Sequence, residues 1–226
     1  MKPIIAIAAV LAAAPALAVP TPVTVRVLSQ GAKFIGTGMG GVEVVIADAA
    51  TGAPLAQGRI EGGTGDTARI MNGSARGAAV ADANSAAFTA TIDIDQPRQV
   101  RVLVMGPMKP AGVAVTAAAT RWLIPGQPVV GDGWVVELPG LALTARREGG
   151  GQVVADVAML CGCPIAPGTL WDEQRFQVKA WVGGTAVPLK WAGQTGRFAA
   201  DVPAGAIWVT AVDTLSGATS AAQIRN

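Results

Sequence analysis

The sequence predicts an all-β protein in which two tandem β-sandwich domains follow an N-terminal signal peptide. Three observations predict this class. Apolar and polar residues alternate with a two-residue period along much of the chain, which is typical of half-buried strands. The 29 glycines and 15 prolines interrupt these runs at short intervals, as turns between strands require. Charged residues make up only 14% of the chain, so it is poor in the Glu and Lys that long surface helices favour.

The first eighteen residues, 1–18, have the features of a secretory signal peptide. Lys2 provides a positive charge, residues 4–14 form an apolar run interrupted at Pro15, and Ala16-Leu17-Ala18 is a small-x-small cleavage site. The apolar run is too short to span a bilayer, and a buried N-terminal helix would explain neither the charge nor the cleavage site. We therefore expect a periplasmic or secreted protein without membrane insertion.

Composition narrows the chemistry that the mature chain can perform. It has no histidine, which excludes imidazole-based catalytic triads and imidazole metal ligands. Without Lys2, 16 basic and 15 acidic residues give a net charge of +1, and the basic residues are scattered along the chain. A nucleic-acid interface normally clusters them. The sequence therefore predicts no nucleic-acid partner, and the lack of any recognisable catalytic constellation predicts that the protein is not an enzyme.

The first domain is predicted to span residues 19–139. The Gly-, Ala- and Ser-rich segment 61–86 is expected to be a long loop, with only Ala68–Met71 ordered. Alternating or valine-rich runs predict strands at residues 23–27, 42–46, 55–60, 88–95, 98–104, 113–122 and 134–138.

The second domain is predicted to span residues 140–226, with the boundary at Pro139-Gly140. Glycine-containing turns separate seven short runs that alternate or are apolar. These runs predict strands at residues 141–147, 152–161, 176–182, 187–191, 196–202, 207–213 and 218–224.

Two resemblances to known families follow from these segments. The valine-rich strand Val42–Ile46 leads into Asp48-Ala49-Ala50-Thr51-Gly52-Ala53-Pro54-Leu55, and this stretch resembles the opening of carboxypeptidase regulatory-like, or transthyretin-like, β-sandwich modules. The seven-strand pattern of the second domain resembles immunoglobulin-like modules. Its sixth strand has no cysteine, so the inter-sheet disulfide usual in that family cannot form. Both resemblances imply an accessory, often non-catalytic module, although fold alone does not fix function.

The two cysteines are the first candidate site. Met159, Cys161 and Cys163 share one face of a strand, because side chains two residues apart point the same way. Three interpretations stay open: a local disulfide between Cys161 and Cys163, buried thiols that act as apolar filler, or a soft-metal or redox site. One thioether and two thiolates suit Cu(I), so copper is the cofactor considered.

Tryptophans form the second candidate site. Alternation places Trp181 on the outer face of its strand with Gln177 and Lys179. Together with Trp171 it could form an exposed platform for a sugar or a protein partner, since aromatic anchors concentrate interface energy. The alternative is that Trp181 packs under the loop 161–171 or at the junction of the two domains.

Taken together, these features lead to one functional hypothesis and one alternative. The hypothesis is an exported, non-catalytic accessory module that binds an envelope protein or a glycan. The alternative is a copper-handling or thiol-active envelope protein that uses the cluster of Met159, Cys161 and Cys163.

Overall fold

A computed structural model describes residues 17–72 and 77–224 of the protein. Within these residues the chain forms fourteen strands in three sheets and one α-helix, α1 (Thr67–Met71), so the prediction of an all-β protein is confirmed. No helix in the described part of the chain has the length and apolar character needed to cross a membrane. The predicted signal peptide, apart from Leu17 and Ala18, lies outside the described residues.

The first seven strands form two sheets that share one hydrophobic core. One sheet has the order β4-β1-β7 and the other the order β3-β2-β5-β6. Valines and isoleucines from alternate positions of β1, β2 and β5 meet between the sheets and are almost fully buried. The strands are β1 (Val19–Ser29), β2 (Val42–Asp48), β3 (Pro54–Ile60), β4 (Phe88–Ile94), β5 (Arg98–Gly106), β6 (Val115–Leu123) and β7 (Val129–Leu138).

The long connection between β3 and β4 contains α1 and is held by carboxylates. Asp66 caps α1 by accepting a hydrogen bond from the backbone N–H of Arg69 at 2.7 Å. Asp132 accepts the backbone N–H groups of Val80 and Ala81 at 3.0 and 2.8 Å, which ties the end of this connection to β7. The predicted ordered segment thus corresponds to α1.

The last seven strands form one sheet that curls until its ends meet. Its order is β14-β13-β10-β11-β12-β9-β8. The edge strands meet where Leu141 donates its backbone N–H to Ser220 Oγ and Ser220 donates that hydroxyl to the carbonyl of Leu141. The strands are β8 (Leu141–Arg147), β9 (Gln152–Met159), β10 (Phe176–Val182), β11 (Thr185–Trp191), β12 (Arg197–Asp201), β13 (Ile207–Asp213) and β14 (Thr219–Ile224).

The two sets of strands are in direct contact across Pro139-Gly140. Leu160 follows β9 but is fully buried in the core of the first seven strands, and its backbone N–H donates to Ser29 Oγ at 3.1 Å. Gln30 in turn reaches the second set, where its side-chain amide donates to the carbonyl of Ser216 at 2.9 Å. These contacts join the two sets of strands.

Candidate binding surface

The outer face of β11, β10, β13 and β14 carries two exposed tryptophans side by side. Trp181 on β10 lies directly opposite Trp208 on β13 in the antiparallel register. Their side chains are 39% and 49% exposed. Directly opposed residues in such a pair have Cβ atoms about 4.5–5.5 Å apart, so the two tryptophans are immediate neighbours on this face.

Strict alternation positions this pair. Phe176, Val178 and Ala180 of β10 point into the core, which leaves Trp181 on the opposite face. The same period in β13 buries Ile207 and its alternate neighbours and turns Trp208 outward. The outward placement predicted for Trp181 therefore agrees with the structure. Trp208 was missed as a site residue, although its alternating run already indicated it.

Polar and small apolar residues surround the tryptophans. Trp181 Nε1 donates a hydrogen bond to Thr210 Oγ1 at 2.9 Å, which fixes the orientation of its ring. The registers of β11, β10, β13 and β14 define twelve outward positions, which we call the tryptophan face. These are Ala186, Trp181, Trp208, Gln223, Pro188, Lys179, Thr210, Ala221, Lys190, Gln177, Val212 and Thr219. This face contains two lysines and no carboxylate.

Trp171 does not join this surface. It is only 5% exposed, packs in the core of the second set of strands, and donates its Nε1 hydrogen to the carbonyl of Gly31 at 3.2 Å. The neighbouring Asp172 accepts the backbone N–H groups of Gln174 and Gly168, and these hydrogen bonds hold the pKa of its carboxyl below the usual value. Trp171 thus helps to join the two sets of strands.

Asp213 connects the two strands that carry the exposed tryptophans. It lies at the end of β13, opposite Phe176 at the start of β10, and its side chain is fully buried. Arg175 donates to both of its carboxylate oxygens, at 3.1 and 2.6 Å, and Ser216 Oγ donates at 2.6 Å. This network holds β10 and β13 together beneath the tryptophan face.

Cys161 and Cys163 form a disulfide, with their Cα atoms 5.4 Å apart. The intervening Gly162 has a φ of +75°, and a Cβ placed there would lie 2.8 Å from Met39 Sδ of the first set of strands. Met159 is fully buried, and the two cysteines are about 5% exposed. Copper binding at these three residues would require reduction of the disulfide, and it stays a hypothesis.

Replacing both cysteines by alanine is expected to lower the free energy of unfolding by only about 1–2 kcal/mol, because the disulfide closes a very short loop. Urea denaturation of the wild type and of the Cys161→Ala, Cys163→Ala variant, each with and without reductant, measures this. The variant should be insensitive to reductant. A reductant effect of several kcal/mol on the wild type would contradict the expectation.

A cavity of about 300 Å³ lies where the two sets of strands meet. Met39 and Pro110 line it from the first set, and mostly apolar side chains line it from the second. Its carboxylate, Asp156, accepts hydrogen bonds from Arg197 and Arg146. Burial raises the pKa of Asp156, but the two guanidinium groups outweigh this and hold it below the usual value. The negative charge of Asp156 is thus already compensated by the two arginines, and it offers little attraction to a ligand in the cavity.

The structure is that of an all-β protein with several sheets, which is consistent with the β-sandwich class. The chain matches no family model and no curated protein. The transthyretin-like and immunoglobulin-like resemblances stay predictions, and the function has to be argued from the geometry of the surface.

Proposed function

We propose that this protein is an exported, non-catalytic binding module for a glycan or a protein of the cell envelope, and that the tryptophan face is its binding surface. The observation that carries the proposal is the pair of exposed rings of Trp181 and Trp208, placed directly opposite each other on adjacent strands. Contiguous exposed apolar surface that is rimmed by polar residues often marks an interaction site.

Of the two ligand classes, a glycan is favoured by the make-up of the face. Besides the two rings, the face carries amides, hydroxyls and lysines, which suit sugar hydroxyls, and its remaining apolar side chains are small or few: Ala186, Pro188, Ala221 and Val212. The electron-rich ring faces attract the partly positive C–H groups of a sugar ring. None of the twelve positions holds a carboxylate, and one outward carboxylate, Asp201, lies on the adjacent strand β12. The two lysines on the face thus favour an acidic sugar over a neutral one.

Trp181→Ala and Trp208→Ala are each expected to weaken glycan binding about tenfold, which corresponds to a loss of roughly 1.4 kcal/mol per ring. Isothermal titration calorimetry with acidic and neutral oligosaccharides measures the effect. Val130→Ala is the control, because Val130 is 55% exposed but lies on β7 in another sheet, outside both the tryptophan face and the sheet β3-β2-β5-β6. Its affinity should equal that of the wild type.

The dependence of binding affinity on salt concentration distinguishes an acidic oligosaccharide from a neutral one. Binding of an acidic oligosaccharide should weaken as ionic strength rises, and Lys179→Gln should reduce that dependence. If folded protein binds neither class of oligosaccharide, the glycan proposal fails. If an envelope protein instead binds the wild type but not Trp181→Ala, the tryptophan face is a protein-binding site.

A further inference from the structure

The outer face of the sheet β3-β2-β5-β6 is a second surface, distant in sequence from the tryptophan face. We infer that it forms a weak, two-fold symmetric dimer interface with a second copy of this chain. The inference is independent of the glycan proposal, because it rests on other residues.

The centre of this face is apolar. Val45 of β2 lies directly opposite Leu103 of β5, which in turn lies opposite Ala118 of β6. Leu103 is 44% exposed and Met105, the next outward residue of β5, is 37% exposed. We call Val45, Ala47, Leu103, Met105 and Ala118 the apolar patch. It has the composition of an interface core, from which charged residues are depleted.

Charges flank the apolar patch in a self-complementary way. Glu43 is one outward step from Val45 along β2, where Arg59 of β3 also pairs with it at 3.4 Å, and Arg101 is one outward step from Leu103 along β5. The register places Glu43 beside Met105 and Arg101 beside Ala47, so the two charges lie at opposite ends of the patch. A two-fold axis that lies parallel to the face, between the two stacked copies and across the middle of the line from Glu43 to Arg101, therefore brings Glu43 of each copy opposite Arg101 of the other, as an isologous interface requires.

The same axis also gives a steric fit. With ideal sheet spacings of about 4.8 Å between strands and about 6.8 Å between outward residues, Leu103 packs on Leu103 of the second copy. Met105 then lies over the small side chains of Ala118 and Thr120 of that copy, so that a large residue meets small ones.

The size of the face sets the expected strength. Four strands about 4.8 Å apart, of seven or nine residues and so about 24 or 31 Å long, cover roughly 520 Å² on each copy, or about 1,040 Å² in total. This just exceeds the roughly 1,000 Å² expected of a biological interface and is below the standard size of about 1,600 Å². We therefore expect a reversible dimer that dissociates on dilution through the micromolar range.

Analytical ultracentrifugation of the mature chain, from low to high micromolar concentration, tests the inference. The wild type should shift from monomer to dimer. The Leu103→Asp variant should remain monomeric, because a dimer would place the two introduced carboxylates against each other at the two-fold axis. Leu215→Asp is the control, since Leu215 is 75% exposed in the turn after β13. It should dimerise like the wild type, and circular dichroism verifies that both variants are folded.

A charge exchange tests the two-fold geometry itself. Arg101→Glu should weaken the dimer at least tenfold, and adding Glu43→Lys should restore it, because the ion pair is re-formed with the charges exchanged. A wild type that stays monomeric at every concentration overturns the inference. A dimer that survives Leu103→Asp, or that is lost in Trp181→Ala, overturns it as well.

Discussion

Asp213→Asn is expected to lower the free energy of unfolding by about 3–5 kcal/mol, which is the usual cost of removing one partner from a buried ion pair. The Asp213 side chain is fully buried, while that of Arg175 is 17% exposed. Arg175 donates to both carboxylate oxygens, and the hydroxyl of Ser216 and the backbone N–H of Leu215 also donate to them. Asparagine keeps the size of the side chain but leaves the guanidinium without its counter-charge.

The loss of stability caused by Asp213→Asn should depend on pH in a defined direction. Burial raises the pKa of Asp213, but the hydrogen bonds from Arg175 and Ser216 outweigh it, so the pKa lies below that of a free aspartate. A carboxyl with a lowered folded-state pKa contributes its stability above its unfolded pKa of about 3.9 and loses it as the pH falls through the folded value. The stability difference between wild type and Asp213→Asn should therefore be full at pH 7 and shrink below about pH 4.

Urea denaturation followed by tryptophan fluorescence, repeated from neutral to acidic pH, measures both the size and the pH dependence. Asp201→Asn is the control, because Asp201 is exposed at the end of β12 and should change stability by less than about 0.5 kcal/mol. If Asp213→Asn and Asp201→Asn cost the same at pH 7, the Arg175–Asp213 pair does not stabilise the fold.

The strands of the fold could be predicted from the sequence because each of them has one buried and one exposed face. In the second set, all seven strands lie within two residues of their predicted bounds, as β10 (Phe176–Val182) and β13 (Ile207–Asp213) illustrate. When apolar and polar residues alternate with a two-residue period, the apolar ones are buried and the polar ones exposed. The period therefore indicates where a strand lies and which side chains face outward.

The tryptophan face could be predicted only in part, because the alternation of apolar and polar residues does not reveal which strands are neighbours in the sheet. β10 pairs with β13 across two intervening strands of sequence, and this pairing is what places Trp208 beside Trp181. Trp171 lies outside any periodic run, and its burial depends on the carbonyl of Gly31, 140 residues away. Such long-range contacts leave no local pattern from which to predict them.

Leu160→Ala is expected to lower the free energy of unfolding by about 2–5 kcal/mol, since it leaves a cavity at a fully buried position. The expected location of the damage is more informative than its size. Leu160 belongs in sequence to the second set of strands, but it packs in the core of the first. The substitution should therefore destabilise strands such as β2 and β5, whose residues are more than fifty positions away.

Hydrogen exchange measured by mass spectrometry can locate that damage. Leu160→Ala should reduce the protection of β2 and β5 more than that of β10 and β13. Leu189→Ala is the matched control, because Leu189 is a buried leucine of the second core and should show the reverse. If Leu160→Ala reduced protection in β10 and β13 alone, the two cores would not be coupled through Leu160. Pro139-Gly140 would then separate two sets of strands that unfold independently.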